Sequence, residues 1–143
     1  MKIITVLAAV FSLMIAGIAT AGIEYNYIDS DSLMQSLQEK KPVHLVDIQK
    51  KNDFLQHHFF GSLETNAYPV KSEQEMSRIK DVVSNLQTTD NPVVIIGPRG
   101  TRAAGRAYEY LLEQGIAAQR LAILESGIRG WPAPEILLNT SGQ

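Results

Sequence analysis

Six consecutive residues hold most of the chemistry this chain offers: Gly97-Pro98-Arg99-Gly100-Thr101-Arg102. They follow the β-branched run Val93-Val94-Ile95-Ile96 and precede an alanine-rich pattern that starts at Ala103. A loop between a buried strand and a helix N-terminus gathers free backbone N–H groups at one point. The helix dipole adds about 0.3–1 kcal/mol for an anion bound there. Gly97 and Gly100 permit the backbone angles such a cradle needs. Arg99 and Arg102 supply forked cationic donors, and Arg106 adds to the field one turn later. Residues 97–103 are therefore an expected binding site for a small oxyanion or an acidic group on a protein partner. From these residues alone, an ordinary strand-to-helix turn with solvated arginines stays open beside it. The loop is not a phosphate-binding P-loop, because no Gly-Lys-Ser/Thr follows.

What the chain lacks is equally informative. None of its 143 residues is cysteine. That excludes disulfides, persulfides, cysteine nucleophiles, thiolate zinc sites and iron–sulfur clusters carried by this chain. Thr101 offers a hydroxyl, but the sequence places no base beside it, and threonine needs one to act as a nucleophile. His57 and His58 are adjacent and so point in different directions. They read as structural or exposed residues rather than metal ligands, and His44 as the start of a strand. Asp47 closes an apolar strand at its carboxyl end, and Trp131 reads as a core plug. No cofactor and no metal are expected. Thirteen Lys and Arg face fifteen Asp and Glu, a formal charge of −2. That balance gives no field for nucleic acid.

The positioning elements are read from periodicity. Residues 22–28 alternate, as a short strand or ordered arm does. Asp29 and Ser30 offer caps to a helix with Leu33, Met34 and Leu37 on one side. Residues 44–48 read as a strand, 50–58 as a short helix around Phe54 and Leu55, and 62–67 as a further strand. Met76, Ile79, Val82, Val83 and Leu86 recur at helical spacing. Val93–Ile96 reads as a strand buried on both faces. Residues 103–114 form a helix that Gly115 ends, 121–124 a last strand, and 127–131 a tight turn. Strand and helix alternate with short connections, which implies an α/β domain: a parallel sheet covered by helices on both faces. The tail 139–143 is expected to fray.

Residues 1–21 read as an export signal, with Lys2 followed by an apolar stretch and Ala19-Thr20-Ala21 at its end. Cleavage there leaves one domain, 22–143, in the periplasm or secreted, with no stable membrane anchor. An uncleaved anchor is the alternative.

Four segments together resemble a single rhodanese-like (thiosulfate sulfurtransferase-like) domain over about residues 27–134. Val43–Gln49 resembles the strand that ends in Asp-Val-Arg. Asp53-Phe54 with His57–Ser62 resembles the Glu-Phe/Tyr and Gly-His-Ile-Pro-Gly-Ala segment. Val93–Arg102 resembles the active-site strand and loop. Leu124-Glu125-Ser126-Gly127-Ile128-Arg129-Gly130-Trp131 resembles the Leu-Glu-Gly-Gly-Ile-x-Gly-Trp signature. The resemblance implies a five-stranded parallel sheet. It also implies a sulfurtransferase reaction whose cysteine stands at the first loop position, here Gly97. Glycine there cannot carry sulfur, and it is expected to enlarge the cradle floor. Gln49 stands in place of an arginine that would pair with the acid near position 53, so that segment is expected to be looser. Gly100 and Arg102 match the family's loop, Ala103 stands where a small or hydroxyl residue is common, and Asp47 and His58 take supporting roles. The expected function is a catalytically inactive anion-binding domain. The alternatives are a sulfurtransferase-type enzyme working with a partner's thiol, and a pure protein-interaction module.

Overall fold

The computed structural model describes residues 22–100 and 102–140. The expected leader at 1–21 and any conformation of Thr101 lie outside the described residues. So does the end of the tail.

Strand β1, Tyr27–Ile28, leads into helix α1, Ser30–Gln38, whose N-cap Asp29 accepts a hydrogen bond from the Ser32 N–H. Strand β2 is His44–Asp47, helix α2 Lys51–Gln56 and strand β3 Leu63–Glu64. Helix α3, Glu73–Leu86, opens on a capping box in which Ser72 and Glu75 each bond the other's backbone. It therefore starts one turn before the apolar periodicity that reveals it. Strand β4 is Val93–Ile96, helix α4 Arg102–Glu113 and strand β5 Leu121–Leu124. The five strands pair in the order β1-β5-β4-β2-β3, all in parallel.

β4 is central, and all four of its residues are buried. Val93 and Ile95 pack with Ile79, Val83, Ala104 and Tyr108, so α3 and α4 cover one face. Val94 and Ile96 pack with Leu33, Phe59 and Trp131, so α1 and the turn after β5 cover the other. Alternate residues of one strand thus feed two cores, as a strand with two covered faces requires. The fold class is the one expected.

Three elements differ from the sequence reading. The helix around Phe54 ends at Gln56, because His57 is extended (φ −148°, ψ 116°). The strand expected over 62–67 is cut to two residues. Thr65 bonds back to the Asp47 carbonyl through both its N–H and its hydroxyl, and Asn66 takes φ 55°. The tail does not fray at 139–140. Leu138 pairs antiparallel with His58, and the Thr140 N–H donates to the Leu55 carbonyl at 2.6 Å. Among the described residues, no helix is long and apolar enough to cross a membrane.

Candidate functional site

The carboxyl ends of β2, β4 and β5 meet where the loop after β4 touches the turn after β5. The contact is backbone on backbone. The Ile128 and Arg129 N–H groups donate to the Gly97 and Pro98 carbonyls, at 2.9 and 3.0 Å. A Cβ on Gly100 would lie 1.7 Å from the Glu125 carbonyl oxygen. One on Gly127 would lie 2.3 Å from the Arg99 Cα, and Gly127 also takes φ 63°. Only glycine allows both approaches. Beyond this clamp a 3-10 turn, Ile128–Gly130, drives Trp131 edge-on against Phe59, with ring centroids 4.7 Å apart.

Gly97 is buried and does not open the floor as expected. A Cβ there would stand 3.0 Å from the Arg99 carbonyl oxygen, which already occupies the approach. Pro98 has no N–H to offer. Ala103 is buried in the α3–α4 core. Arg106 is also turned to structural use: its Nε and Nη2 donate to the Val70 and Pro69 carbonyls at 2.9 and 2.8 Å.

The two remaining arginines of the loop face different clefts. Pro98 and Arg99 line a cleft of about 300 Å³ with Lys50, Asp53, Tyr68 and Arg129. Gly100 and Arg102 border a separate, wider one with Tyr25, Tyr27 and Gly105. In the first cleft the Lys50 Nζ lies 5.7 Å from the centre of the Tyr68 ring, within cation–π reach. Lys50, Arg99 and Arg129 form no ion pair among the described residues, where Lys41–Glu39 is the pair present. Asp53 is the single acid lining this cleft. Sequence reasoning missed Lys50, Tyr68 and Arg129. The available signal was a cation at the variable position of the Gly127–Trp131 turn and another three residues beyond Asp47.

Asp47, the last residue of β2, is fully buried. Its carboxylate accepts from the Gln49 N–H at 2.9 Å and from the Gln49 side-chain amide at 3.0 Å. The same amide nitrogen donates to the His57 carbonyl at 3.0 Å. Gln49 thus ties β2 to the end of α2, and the loosening expected from the missing arginine does not occur. Burial pushes the Asp47 carboxyl up to about 7, against the two Gln49 hydrogen bonds that favour its ionised form. His58 lies stacked on Phe54, 4.1 Å between ring centres, and its Nδ1 bonds the Phe54 carbonyl at 2.7 Å. It braces α2 and does not reach either cleft's lining. No cluster of metal-ligating side chains is present among the described residues.

The family model of the rhodanese-like domain matches residues 30–133. No curated protein matches the sequence. The fold is similar to a rhodanese-like domain protein from Staphylococcus aureus, at 24% identity and TM-score 0.57, over 80% of this chain and 97% of that one. It is similar to a yeast protein tyrosine phosphatase of the rhodanese family, at 17% identity and TM-score 0.63, over 82% and 93% of the two chains. It is also similar to a thiosulfate sulfurtransferase from Pseudomonas aeruginosa, at 15% identity and TM-score 0.62, over 81% of this chain and 20% of that one.

Two outcomes are expected of this geometry. Gly100→Ala and Gly127→Ala each lower stability by about 2 kcal/mol or more, since backbone must move to admit the methyl. Gly115→Ala, at φ 90° with open space around it, costs only the conformational penalty of about 1–2 kcal/mol. Urea unfolding of the three variants measures the contrast. The second outcome concerns pH. The folded Asp47 carboxyl titrates near 7, above its unfolded value of 3.8. The folded state therefore holds the extra proton between those limits, and Asp47 contributes a loss of stability as pH rises through them. The urea midpoint of the wild type should fall from pH 5 to pH 8, and Asp47→Asn should flatten that slope.

Proposed function

The chain belongs to the rhodanese-like domain family, and from that premise we propose that it is an exported member, silent in sulfur transfer, that binds an oxyanion or an acidic partner group. The binding place in this reading is the cleft of Lys50, Tyr68, Arg99 and Arg129. One observation carries it: three cations without ion-pair partners among the described residues border one cleft at the carboxyl ends of β2 and β4. Open α/β sheets bind ligands at that edge.

Silence follows from position 97. The resemblance puts the sulfur-carrying cysteine there, and glycine has no atom that can attack a sulfur donor or hold a persulfide. No other residue of the chain is cysteine. What survives is charge. Arg99 and Arg129 present planar, forked donors that match a tetrahedral oxyanion or a carboxylate. Lys50 adds a point charge steadied against the Tyr68 ring. Asp53 offsets part of this field and sets the orientation of a ligand with its own donor. The cleft is open to solvent, so affinity for a lone inorganic anion falls in the millimolar range, about −4 kcal/mol. Two fold neighbours are named for thiosulfate and tyrosine-phosphate chemistry, and both groups are anions of this shape. Export is supported by the leader pattern of residues 1–21, which ends in Ala19-Thr20-Ala21.

Calorimetric titration at low salt with sulfate, thiosulfate and phosphate tests the binding. At least one should bind more tightly than about 10 mM. Arg99→Ala and Arg129→Ala should each weaken it several-fold, while Arg102→Ala, which borders the other cleft, leaves it unchanged. Absence of binding, or dependence on Arg102 alone, contradicts the reading. In a thiosulfate:cyanide assay the wild type should match a heat-killed control. Gly97→Cys, whose Cβ must displace the Arg99 carbonyl by a few tenths of an ångström, should give at most a trace.

A further inference from the structure

The cationic cleft does not stand alone. A groove of about 390 Å³ adjoins it, and Asp53 and Arg129 line both. The groove's apolar wall is built from Ile128, Trp131, Pro134 and Leu137. The turns that carry this wall are fixed. Ile128 and Arg129 hang from the loop carbonyls, and Leu137 closes a 3-10 turn over Pro134–Ile136. Two exposed apolar residues, Ile136 at 47% and Leu138 at 37%, flank Leu137 in the chain, and Phe60 is 85% exposed. Leu138 is joined to His58 by an antiparallel bridge, which brings the segment before Phe60 beside the groove. A small oxyanion uses the cationic cleft and leaves this apolar surface bare. A groove with a partly apolar wall beside a charged site fits a ligand larger than an ion.

We propose that the two clefts together form one bipartite site for an extended acidic segment of a partner protein. An Asp or Glu carboxylate sits between Arg99 and Arg129, and an apolar side chain two positions away sits in the groove. Charge complementarity selects the acid, because the cleft holds three cations against one carboxylate. Strand geometry selects the spacing: residues i and i+2 of an extended chain point the same way and lie roughly 6–7 Å apart. Arg129 and Asp53 form the shared border, where Asp53 can accept a hydrogen bond from a backbone N–H of the segment. The inference rests on the anion-binding reading of the same cleft and adds the apolar half and the peptide class.

The test uses the wild-type protein and end-blocked peptides followed by calorimetry, beside a sulfate titration. The peptide Ser-Phe-Ser-Glu-Ser-Phe-Ser carries the pattern in either direction. It should bind at least about tenfold more tightly than the same peptide with both Phe replaced by Ser. It should lose most of its binding when Glu is replaced by Gln. Leu137→Ser should reduce the advantage of the Phe peptide and leave sulfate affinity unchanged, with an unaltered circular dichroism spectrum. Sulfate binding with no Phe advantage overturns the bipartite site while sparing the anion cleft. Failure of sulfate and of every peptide overturns both. A Phe peptide that binds equally with Gln in place of Glu overturns the acidic requirement and with it the proposal.

Discussion

The structure turns on a contact in which two backbone segments touch with no side chain between them. Gly100 meets the Glu125 carbonyl and Gly127 meets Arg99 and Pro98, at distances that a single methyl group would forbid. Two hydrogen bonds then lock the pair, from Ile128 to Gly97 and from Arg129 to Pro98. The close approach determines what each segment displays. Arg99 and Arg129 leave it on the same side and line one cleft. Ile128 and Trp131 enter the core beneath β4 and also border the adjoining groove. The clamp thus joins a packing element to the proposed recognition cleft.

The opposite wall is built from β2 and the segment that leads into α2. Asp47 is buried at the end of β2, and Gln49 spans from its carboxylate to the His57 carbonyl. A neutral amide does the connecting work that an arginine–acid pair would do, with one nitrogen donating twice. The exchange has an electrostatic result. Asp47 faces no cation, so burial dominates its titration and holds its proton up to about 7. Asp53 stands at the border of both clefts as an acceptor. The absence of the sulfur carrier at position 97 is matched by a carbonyl at that approach. The proposed recognition cleft is lined by side chains around the loop.

Much of the fold was legible in the sequence because it depends on local pattern. The Val93–Ile96 run announces a strand buried on both faces, and the 3.6-residue spacing of α3 and α4 announces their covered sides. The Gly-x-x-Gly turn before Trp131 was visible as a signature, though not the reason for it: Gly127 answers to Pro98 and Arg99, far away in the chain, and Gly130 to the Ser126 side chain. The site was less legible for the same reason. Arg99 and Arg102 are three residues apart in sequence yet border different clefts, because the helix begins between them. Arg106 looked like a free cation until the carbonyls of residues 69 and 70 arrived beside it. Lys50 and Tyr68 gave no local signal, since only the pairing of β2 with β3 and β4 brings them near the loop. The tail resisted for want of periodicity, and a bridge to His58 holds it.

In the proposed reading, anion recognition lives in the side-chain cleft between Lys50, Arg99 and Arg129. Amide chemical-shift mapping by NMR during a sulfate titration tests it most directly. Saturable shifts are expected at residues around 50, 99 and 128–130, with the amides near Tyr25, Tyr27 and Gly105 unmoved. Shifts centred on the Tyr25–Arg102 cleft, or none that saturate, would contradict it.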